Sequence, residues 1–232
     1  MKVIDHPVLG EVVLKKNIRS RNISVRIKAE QINVSLPFFS SYDDAMAFVE
    51  SKVAEIEKKR AKLVSRKRLF TIENPTRTFS FEMYLVPLPQ KDYQRIRKGD
   101  KLYITFPGTD NPLTESAQKI FRGIFEYTLK QEAHKIFPVI LKEEAEKHGF
   151  SYNSVRISSA HSRWGSCSSG KNINLNIYLL TLPEHLMRYV MLHELCHTEH
   201  MDHSKHFYAR LDQVSGGKSD EYRKELKVYS IG

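Results

Sequence analysis

The strongest constraint on the fold of this chain is a pair of histidines one helical turn apart, His193 and His197. Around them, from Glu184 onward, apolar residues recur at helical spacing, and Pro183 stands where a proline fits the first turn of a helix. On such a helix, side chains at positions i and i+4 lie on the same face. The pattern therefore predicts a helix that presents both imidazoles to one point, where they can bind Zn²⁺ at about 2.0–2.1 Å.

Glu194 follows the first histidine and completes the segment His-Glu-Leu-Cys-His over residues 193–197. This matches the His-Glu-x-x-His motif of zinc metalloproteases, in which the histidines bind the metal and the glutamate acts as general base. So short a motif also recurs in unrelated proteins. The alternative is a buried helix whose histidines only pack or form hydrogen bonds, and it suits one lone histidine better than this cluster.

A catalytic zinc site usually has a third protein ligand and leaves one position for water. His200, His203 and His206 all follow the motif closely. On an unbroken helix, His200 would remain on the same face but lie about 10 Å along the axis from His193. Three side chains so spaced do not easily converge on one ion, so His200 is the less favoured third ligand.

The residues after the motif favour a bend. Asp202 and Ser204 are turn and helix-cap residues, and a bend there can return His203 to the metal. We therefore predict His203 as the third ligand beside the two motif histidines. The imidazole rings also need partners that orient them, for which Asp212 and Glu225 are candidates.

Three more segments accompany the motif in a fixed order. They are Ser162–Ser168 (Ser-Arg-Trp-Gly-Ser-Cys-Ser), Asn172–Asn176 (Asn-Ile-Asn-Leu-Asn) and His203–Tyr208 (His-Ser-Lys-His-Phe-Tyr). With the motif, they make the chain resemble the YgjP-like metallopeptidases over about residues 155–212. The later segments are also similar to SprT and WLM zinc proteases, in which the histidine after the bend is a ligand. The resemblance implies a zinc peptidase acting on protein or peptide substrates and supports His203.

Two features depart from related patterns. Tyr208 stands where the YgjP-like family often has tryptophan. The gap between His197 and His203 also matches the metzincins, but the glycine expected midway in them is His200 here. Because we see no methionine-turn signature downstream, we do not assign the chain to the metzincins.

The segment Arg-Trp-Gly-Ser-Cys that begins at Arg163 allows several roles. Arg163 is a candidate for contact with the substrate or the transition state, since guanidinium groups bind carboxylates and oxyanions. Trp164 is predicted to anchor the core, Gly165 to form a turn, and Cys167 to be a small buried residue rather than a ligand. In zincins a strand such as Asn172–Asn176 can run beside the cleft and pair with an extended substrate.

The pattern along the chain changes after residue 111. Residues 1–111 contain short alternating strand patterns and one helix, predicted from Tyr42 to Arg66. Residues 112–232 begin with a long helical pattern, from about Thr114 to Lys147, and remain mainly helical. We predict an α+β protein with an N-terminal β-rich region that includes a basic helix, and a C-terminal, mainly helical, zincin-like metallopeptidase domain.

Positive charge is concentrated in the N-terminal region. Residues 1–111 hold 21 Lys and Arg against 13 Asp and Glu, and the densest runs are Lys58–Lys62 and Arg66–Arg68. A solvated helix face explains such runs. The alternative is contact with nucleic acid, as in a SprT-like protease that acts on proteins at DNA. A third possibility is a zinc-binding protein without hydrolytic activity, although such sites usually have four protein ligands and need no Glu194.

The composition also bears on localisation. Asp5 and Pro7 occupy positions where a signal peptide would be apolar, and no apolar stretch approaches the roughly 20 residues of a membrane span. The two cysteines, Cys167 and Cys196, provide no disulfide framework. We expect a cytoplasmic protein without a membrane partner.

Overall fold

The computed structural model of the chain describes residues 1–27, 31–66 and 69–231, and within helix residues 60–66 it describes the main chain alone. These residues form a mixed α+β fold with three small sheets and six α-helices. They fall into two compact units, Met1–Arg68 and Leu69–Gly232. Each unit has its own apolar core.

The N-terminal unit is built on a four-stranded sheet in the order β1-β2-β4-β3. Its strands are β1 (Lys2–His6), β2 (Gly10–Asn17), β3 (Ser24–Ile27) and β4 (Ile32–Pro37). The central pair, β2 and β4, is parallel, and the outer pairings are antiparallel. Ile32, Val34 and Leu36 are buried, as the alternation of apolar and polar residues predicts for a half-buried strand.

Two helices cover this sheet where the sequence predicts one. They are α1 (Tyr42–Glu50) and α2 (Val53–Arg66), and Ser41 caps α1 by accepting a hydrogen bond from the amide of Asp44. The helix is interrupted after Glu50, where the hydroxyl of Ser51 donates to the carbonyl of Phe48 at 2.8 Å. Such side-chain bonds compete with the helical hydrogen bonds of the main chain.

The basic run lies largely on α2. Lys58 and Lys59 are exposed there, and the ammonium of Lys59 lies 2.7 Å from the carboxylate of Glu55. Lys67 and Arg68 lie outside the described residues. Nucleic-acid binding by this helix therefore remains a prediction.

The second unit begins with a four-stranded sheet in the order β5-β6-β8-β7. Its strands are β5 (Thr76–Arg77), β6 (Glu82–Leu88), β7 (Gln94–Lys98) and β8 (Lys101–Pro107). Ile104 and Phe106 of β8 share one apolar core with Phe121 and Phe125 of the following helix. Because these strands pack with the helices that follow them, the compact units divide at residue 68, whereas the sequence pattern changes at residue 111.

A 34-residue helix, α3 (Glu115–His148), spans this core. The hydroxyl of Thr114 caps its first turn, and Gly149 ends it in the left-handed conformation (φ 75°), which glycine adopts without a side-chain clash. The helix continues through Pro138. Its bounds agree with the predicted helical pattern to within one residue at each end.

A third sheet lies between α3 and the remaining helices in the sequence, with the strand order β10-β11-β9. It comprises β9 (Ser154–Ser158), β10 (Gly165–Cys167) and β11 (Asn172–Asn176). A 3₁₀ turn (Ile177–Thr181) leads into α4 (Glu184–Cys196), α5 (Lys205–Val214) and α6 (Ser219–Leu226). No helix in the described part of the chain combines the length and the apolarity needed to cross a bilayer.

Candidate metal centre

Three imidazoles converge beside helix α4. The Nε2 atom of His193 lies 3.2 Å from that of His197 and 3.3 Å from that of His203. One potential ligand atom from each residue lies within 4.8 Å of the other two, and no other His, Cys, Asp or Glu group of this kind occurs among the described residues. Bonds of 2.0–2.1 Å in a tetrahedral site place ligand nitrogens about 3.3–3.4 Å apart. The two Nε2 separations from His193 agree with the ligand spacing of such a tetrahedral site.

Helix α4 fixes the first two histidines. His193 lies in its last turn and His197 is its C-cap, so both still follow helical spacing. Leu195 and Cys196, between them in the sequence, are fully buried in the core. Burial raises the pKa of the Cys196 thiol to about 12, so it remains protonated. Cys196 therefore belongs to the core and is not part of the histidine group.

His203 reaches the group because the chain bends after α4. The helix ends at Cys196, and a new helix, α5, begins at Lys205 with Ser204 as its N-cap. The expected bend is therefore present. The imidazole of His200 lies outside the histidine group and stacks with that of His206, with ring centroids 6.2 Å apart.

Phe207 packs against all three histidines. It is fully buried, and its ring centroid lies 4.9 Å from that of His193, 4.5 Å from that of His197 and 4.9 Å from that of His203. A single apolar side chain on α5 therefore restricts the rotamers of all three imidazoles. Phe207 belongs to a segment that carries the family resemblance, but the sequence did not indicate this contact.

The ring of His197 is oriented by the main chain. Its Nδ1 atom lies 3.0 Å from the carbonyl oxygen of His200 and donates to it, which leaves the lone pair of Nε2 directed at the histidine group. The two predicted orienting residues make other contacts. Asp212 accepts a hydrogen bond from the hydroxyl of Ser219, and Glu225 bonds His185. A main-chain carbonyl thus fills the expected role, and residue types do not reveal such a partner.

The environment lowers the pKa of His193 and of His197. Burial first, and then the neighbouring His197 and His203, lower the pKa of His193 to about 3. Burial also lowers the pKa of His197, although its hydrogen bond to the His200 carbonyl opposes the shift. Metal ions bind the neutral imidazole, and the lowered pKa values favour that form of His193 and His197.

Glu194 is buried and packs against the main chain of β10. A Cβ atom added to Gly165 would lie only 2.7 Å from Oε1 of Glu194 and 2.8 Å from its Cγ. The predicted turn at Gly165 is therefore wrong: this glycine lies in a strand and leaves space for the glutamate. Burial raises the pKa of Glu194 to about 8, and the positive charge of Arg163 opposes that shift.

Asn176 fixes the loop that carries Arg163. Its buried side-chain amide donates to the carbonyls of Ala160 and Arg163, and its main-chain amide donates to the carbonyl of Trp164 at 2.9 Å. The side chain of Arg163 is exposed and acts electrostatically on Glu194. Trp164 packs on the core as predicted. Asn176 was not singled out from the sequence.

Cys167 is half-buried, whereas the sequence predicted a buried residue, and it lies outside the histidine group. Burial raises the pKa of its thiol, and the nearby Glu194 raises it further. A thiol with a raised pKa is mostly protonated near pH 7 and binds metal poorly in that form.

The strand order differs from the one expected for a strand that pairs with substrate. The predicted pairing strand, β11, is flanked by β10 on one side and β9 on the other, so no edge of it is available. Strand β10 lies at the sheet edge. Because the carbonyl of Trp164 accepts a hydrogen bond from Asn176 on β11, the next residue, Gly165, directs its amide and carbonyl away from β11. The available edge therefore lies next to Glu194.

Arg210 fastens the bend that carries His203. Its guanidinium lies 3.0 Å from the carboxylate of Glu199, donates to the carbonyl of His148 at 2.7 Å, and stands 4.5 Å above the ring of Phe150. These contacts tie α5 both to the turn after α4 and to the end of α3. Arg210 was not singled out from the sequence.

The chain is similar in sequence to known metallopeptidases. The chain is similar to the crystal structure of the metallopeptidase zymogen abylysin of Pyrococcus abyssi, with 25% identity over 39% of this chain and 91% of that one and a TM-score of 0.36. For the zymogen of Methanocaldococcus jannaschii jannalysin the values are 24%, 39%, 92% and 0.35. A search of curated protein sequences returned no match. The family model of the YgjP-like metallopeptidase domain matches residues 21–229. The chain belongs to the YgjP-like metallopeptidase family.

Proposed function

We propose that the protein is a zinc-dependent peptidase, with His193, His197 and His203 as the metal ligands and Glu194 as the general base. The convergence of the three imidazoles, with Nε2 separations of 3.2 and 3.3 Å, carries this proposal. A neighbouring buried glutamate is the second element that peptide hydrolysis needs.

The donor set suits zinc better than calcium or magnesium. Imidazole nitrogen is a preferred ligand of Zn²⁺, whereas Ca²⁺ and Mg²⁺ prefer carboxylate and carbonyl oxygens. The histidine group contains three residues, and neither Cys167 nor Cys196 adds a fourth. Three protein ligands are typical of catalytic zinc sites, and four are typical of structural ones. This favours hydrolysis over the non-catalytic alternative.

When bound, zinc would polarise the scissile carbonyl and lower the pKa of water toward about 7. Glu194 would accept a proton from the attacking water and then donate it to the leaving amine. Burial raises the pKa of the Glu194 carboxyl. A bound zinc ion next to it would lower that pKa and favour the ionised, basic form. Gly165 would allow the carboxylate of Glu194 to lie against strand β10, because glycine has no side chain that would clash with it.

The substrate would be a protein or peptide bound in an extended conformation. The outward amide and carbonyl of Gly165 can form main-chain hydrogen bonds with such a chain, independent of its side chains. Arg163 lies on the preceding loop with its guanidinium exposed, and it would contact a substrate carboxylate or the oxyanion of the transition state.

Metal analysis combined with a cleavage assay tests this function. We expect one zinc per chain, cleavage of an unfolded protein such as casein, loss of both activity and metal on chelation, and recovery with Zn²⁺. His203→Ala should lose most of the zinc. His200→Ala is the matched control and should retain it, because His200 contacts the site through its main-chain carbonyl. Zinc loss in His200→Ala alone would overturn the ligand assignment, and zinc binding without cleavage of casein or a diverse peptide library would favour the non-hydrolytic alternative.

A further inference from the structure

The N-terminal unit has a groove at one end of its sheet that the metal centre does not use. It forms where the parallel strands β2 and β4 end side by side, with Asn17 paired to Pro37. Its volume is about 610 Å³. We call it the sheet-end groove, and its lining residues are Lys15, Lys16, Asn17, Ile18, Arg19 and Phe38.

Two neighbouring aromatic side chains are exposed to solvent here: Phe38 lines the groove, and Phe39 lies next to Phe38. Phe38 is 52% exposed and Phe39 is 97% exposed, with their rings edge-to-face at 5.6 Å. An aromatic side chain gains most of its stabilising free energy from burial, so Phe39 contributes little to the fold. Together the two rings offer flat apolar faces to a binding partner.

Positively charged side chains lie close to Phe38. The ammonium of Lys16 lies 5.8 Å from the ring centroid of Phe38 and 5.3 Å from that of Tyr42. Lys15 and Arg19 also line the groove, and its described lining residues include no acid. The acids nearest in sequence to Tyr42 begin α1, where one of them, Asp44, is held by Ser41 in a capping box.

We propose that the sheet-end groove binds single-stranded nucleic acid. Lys15, Lys16 and Arg19 would contact phosphates, while Phe38 and Phe39 would stack on bases. Cationic grooves with exposed aromatic side chains bind single strands in this way, because unpaired bases expose their faces and paired bases do not. This site differs from the basic run on α2, because that helix contains no aromatic residue and its Lys59 already pairs with Glu55.

Fluorescence anisotropy of a labelled 20-nucleotide oligo(dT), titrated with the full chain over a range of salt concentrations, tests the proposal. Affinity should fall with salt, with a log–log slope of about −0.7 per neutralised phosphate. Phe39→Ala should bind about 5- to 160-fold more weakly, which is the range for loss of one stacked base. Replacing Lys15 and Lys16 with glutamine should flatten the slope by roughly 1.4.

Replacing Lys58 and Lys59 with glutamine removes the same charge from α2 and is the matched control. It should leave the slope unchanged. The proposal fails if the wild type does not bind at low salt, if Phe39→Ala binds as the wild type does, or if the α2 variant loses as much affinity as the groove variant. Binding to phosphatidylserine vesicles but not to oligo(dT) would also overturn it and indicate a membrane surface. Because Phe39 is exposed, we expect Phe39→Ala to fold as the wild type does, so that weaker binding would not result from misfolding. The thermal unfolding temperatures of the two proteins check this. None of these measurements depends on zinc or peptidase activity, so failure here leaves the proposed function intact.

Discussion

Helix α4 and the segment from Thr198 to Arg210 both supply histidines to the candidate metal centre, but they hold them in different ways. On α4, His193 and His197 are brought together by the helical repeat, and the surrounding residues are buried. The second segment leaves the helix, turns and enters α5, and His203 itself is exposed. Arg210 connects this segment to residues distant in sequence, His148 and Phe150.

This difference separates two properties of the site. Substitutions on α4 that preserve the shape of a side chain should lower the rate of peptide hydrolysis while leaving the affinity for the metal unchanged. Changes that loosen the second segment should reduce metal affinity first, because the third ligand then spends less time in position. Variants on the two sides can therefore test whether binding and catalysis are divided in this way.

The largest effect is expected on the α4 side. Glu194→Gln preserves the shape that fits against Gly165 but removes the carboxylate that would accept a proton. Turnover should fall by roughly 10²–10⁴-fold, the usual contribution of a positioned general base. Zinc content should remain at one per chain. Steady-state kinetics and elemental analysis of the same preparation measure both quantities.

Glu221→Gln on the exposed surface of α6 is the control for that measurement and should behave like the wild type. If Glu194→Gln cleaves substrate at the wild-type rate, the base lies elsewhere. If it loses zinc, Glu194 supports the metal site structurally, and the division between α4 and the bend does not hold.

A smaller effect is expected on the side of the bend. Arg210→Ala removes the ion pair with Glu199, the hydrogen bond to the His148 carbonyl and the stacking on Phe150. Zinc affinity should fall by about 10–100-fold, as is typical when a partner that positions a ligand is lost. Competition with a chromophoric chelator measures this affinity, and the visible spectrum of the Co²⁺-loaded protein reports the coordination number. Arg210→Lys should recover part of the affinity because it retains the charge.

Arg77→Ala serves as its control, since Arg77 is 87% exposed and pairs with Glu82 in a different part of the unit. It should bind zinc as the wild type does. If Arg210→Ala has unchanged affinity and an unchanged Co²⁺ spectrum, the turn holds His203 without Arg210. The contrast between the two segments would then be one of exposure alone.

The sequence predicted the parts of the fold that local patterns determine. The i,i+4 spacing indicated that His193 and His197 would share a face, and the turn residues near Ser204 indicated the bend. The ends of α3 were predicted closely because Thr114 and Gly149 are strong helix boundaries. Each of these features depends on residues within a turn or two of one another.

Features that depend on distant packing were not predicted. Gly165 was expected in a turn because glycine is common there, and only the approach of Glu194 explains why it occupies a strand. The unit boundary depends on β8 packing with α3, which no local pattern reports. In the N-terminal unit, the sequence shows the dense positive charge of α2. It does not show that Phe39 is exposed.

The smallest predicted effect concerns His148, at the point where α3 meets the bend. Its Nε2 atom is buried and makes no hydrogen bond among the described residues, although it lies 3.5 Å from the carboxylate of Glu144. Burial first, and then the charge of Lys147, lower the pKa of His148; Glu144 opposes the shift, and Arg210 on α5 adds to it. Arg188 of α4 also faces this cluster and bonds Glu144 at 2.7 Å.

A histidine whose pKa is lowered by folding binds fewer protons in the folded state than in the unfolded state. The free energy of unfolding therefore rises with pH through the interval between the lowered pKa and the ordinary value of 6.5. The contribution of His148 is complete above about pH 6.5 and is lost progressively as the pH falls below it. His148→Gln should make stability less sensitive to pH in this range, by an amount smaller than the effects above. Urea unfolding of both proteins at pH 7.5 and pH 5.5 measures the difference, and equal losses of stability in the two proteins would show that His148 is not the titrating group.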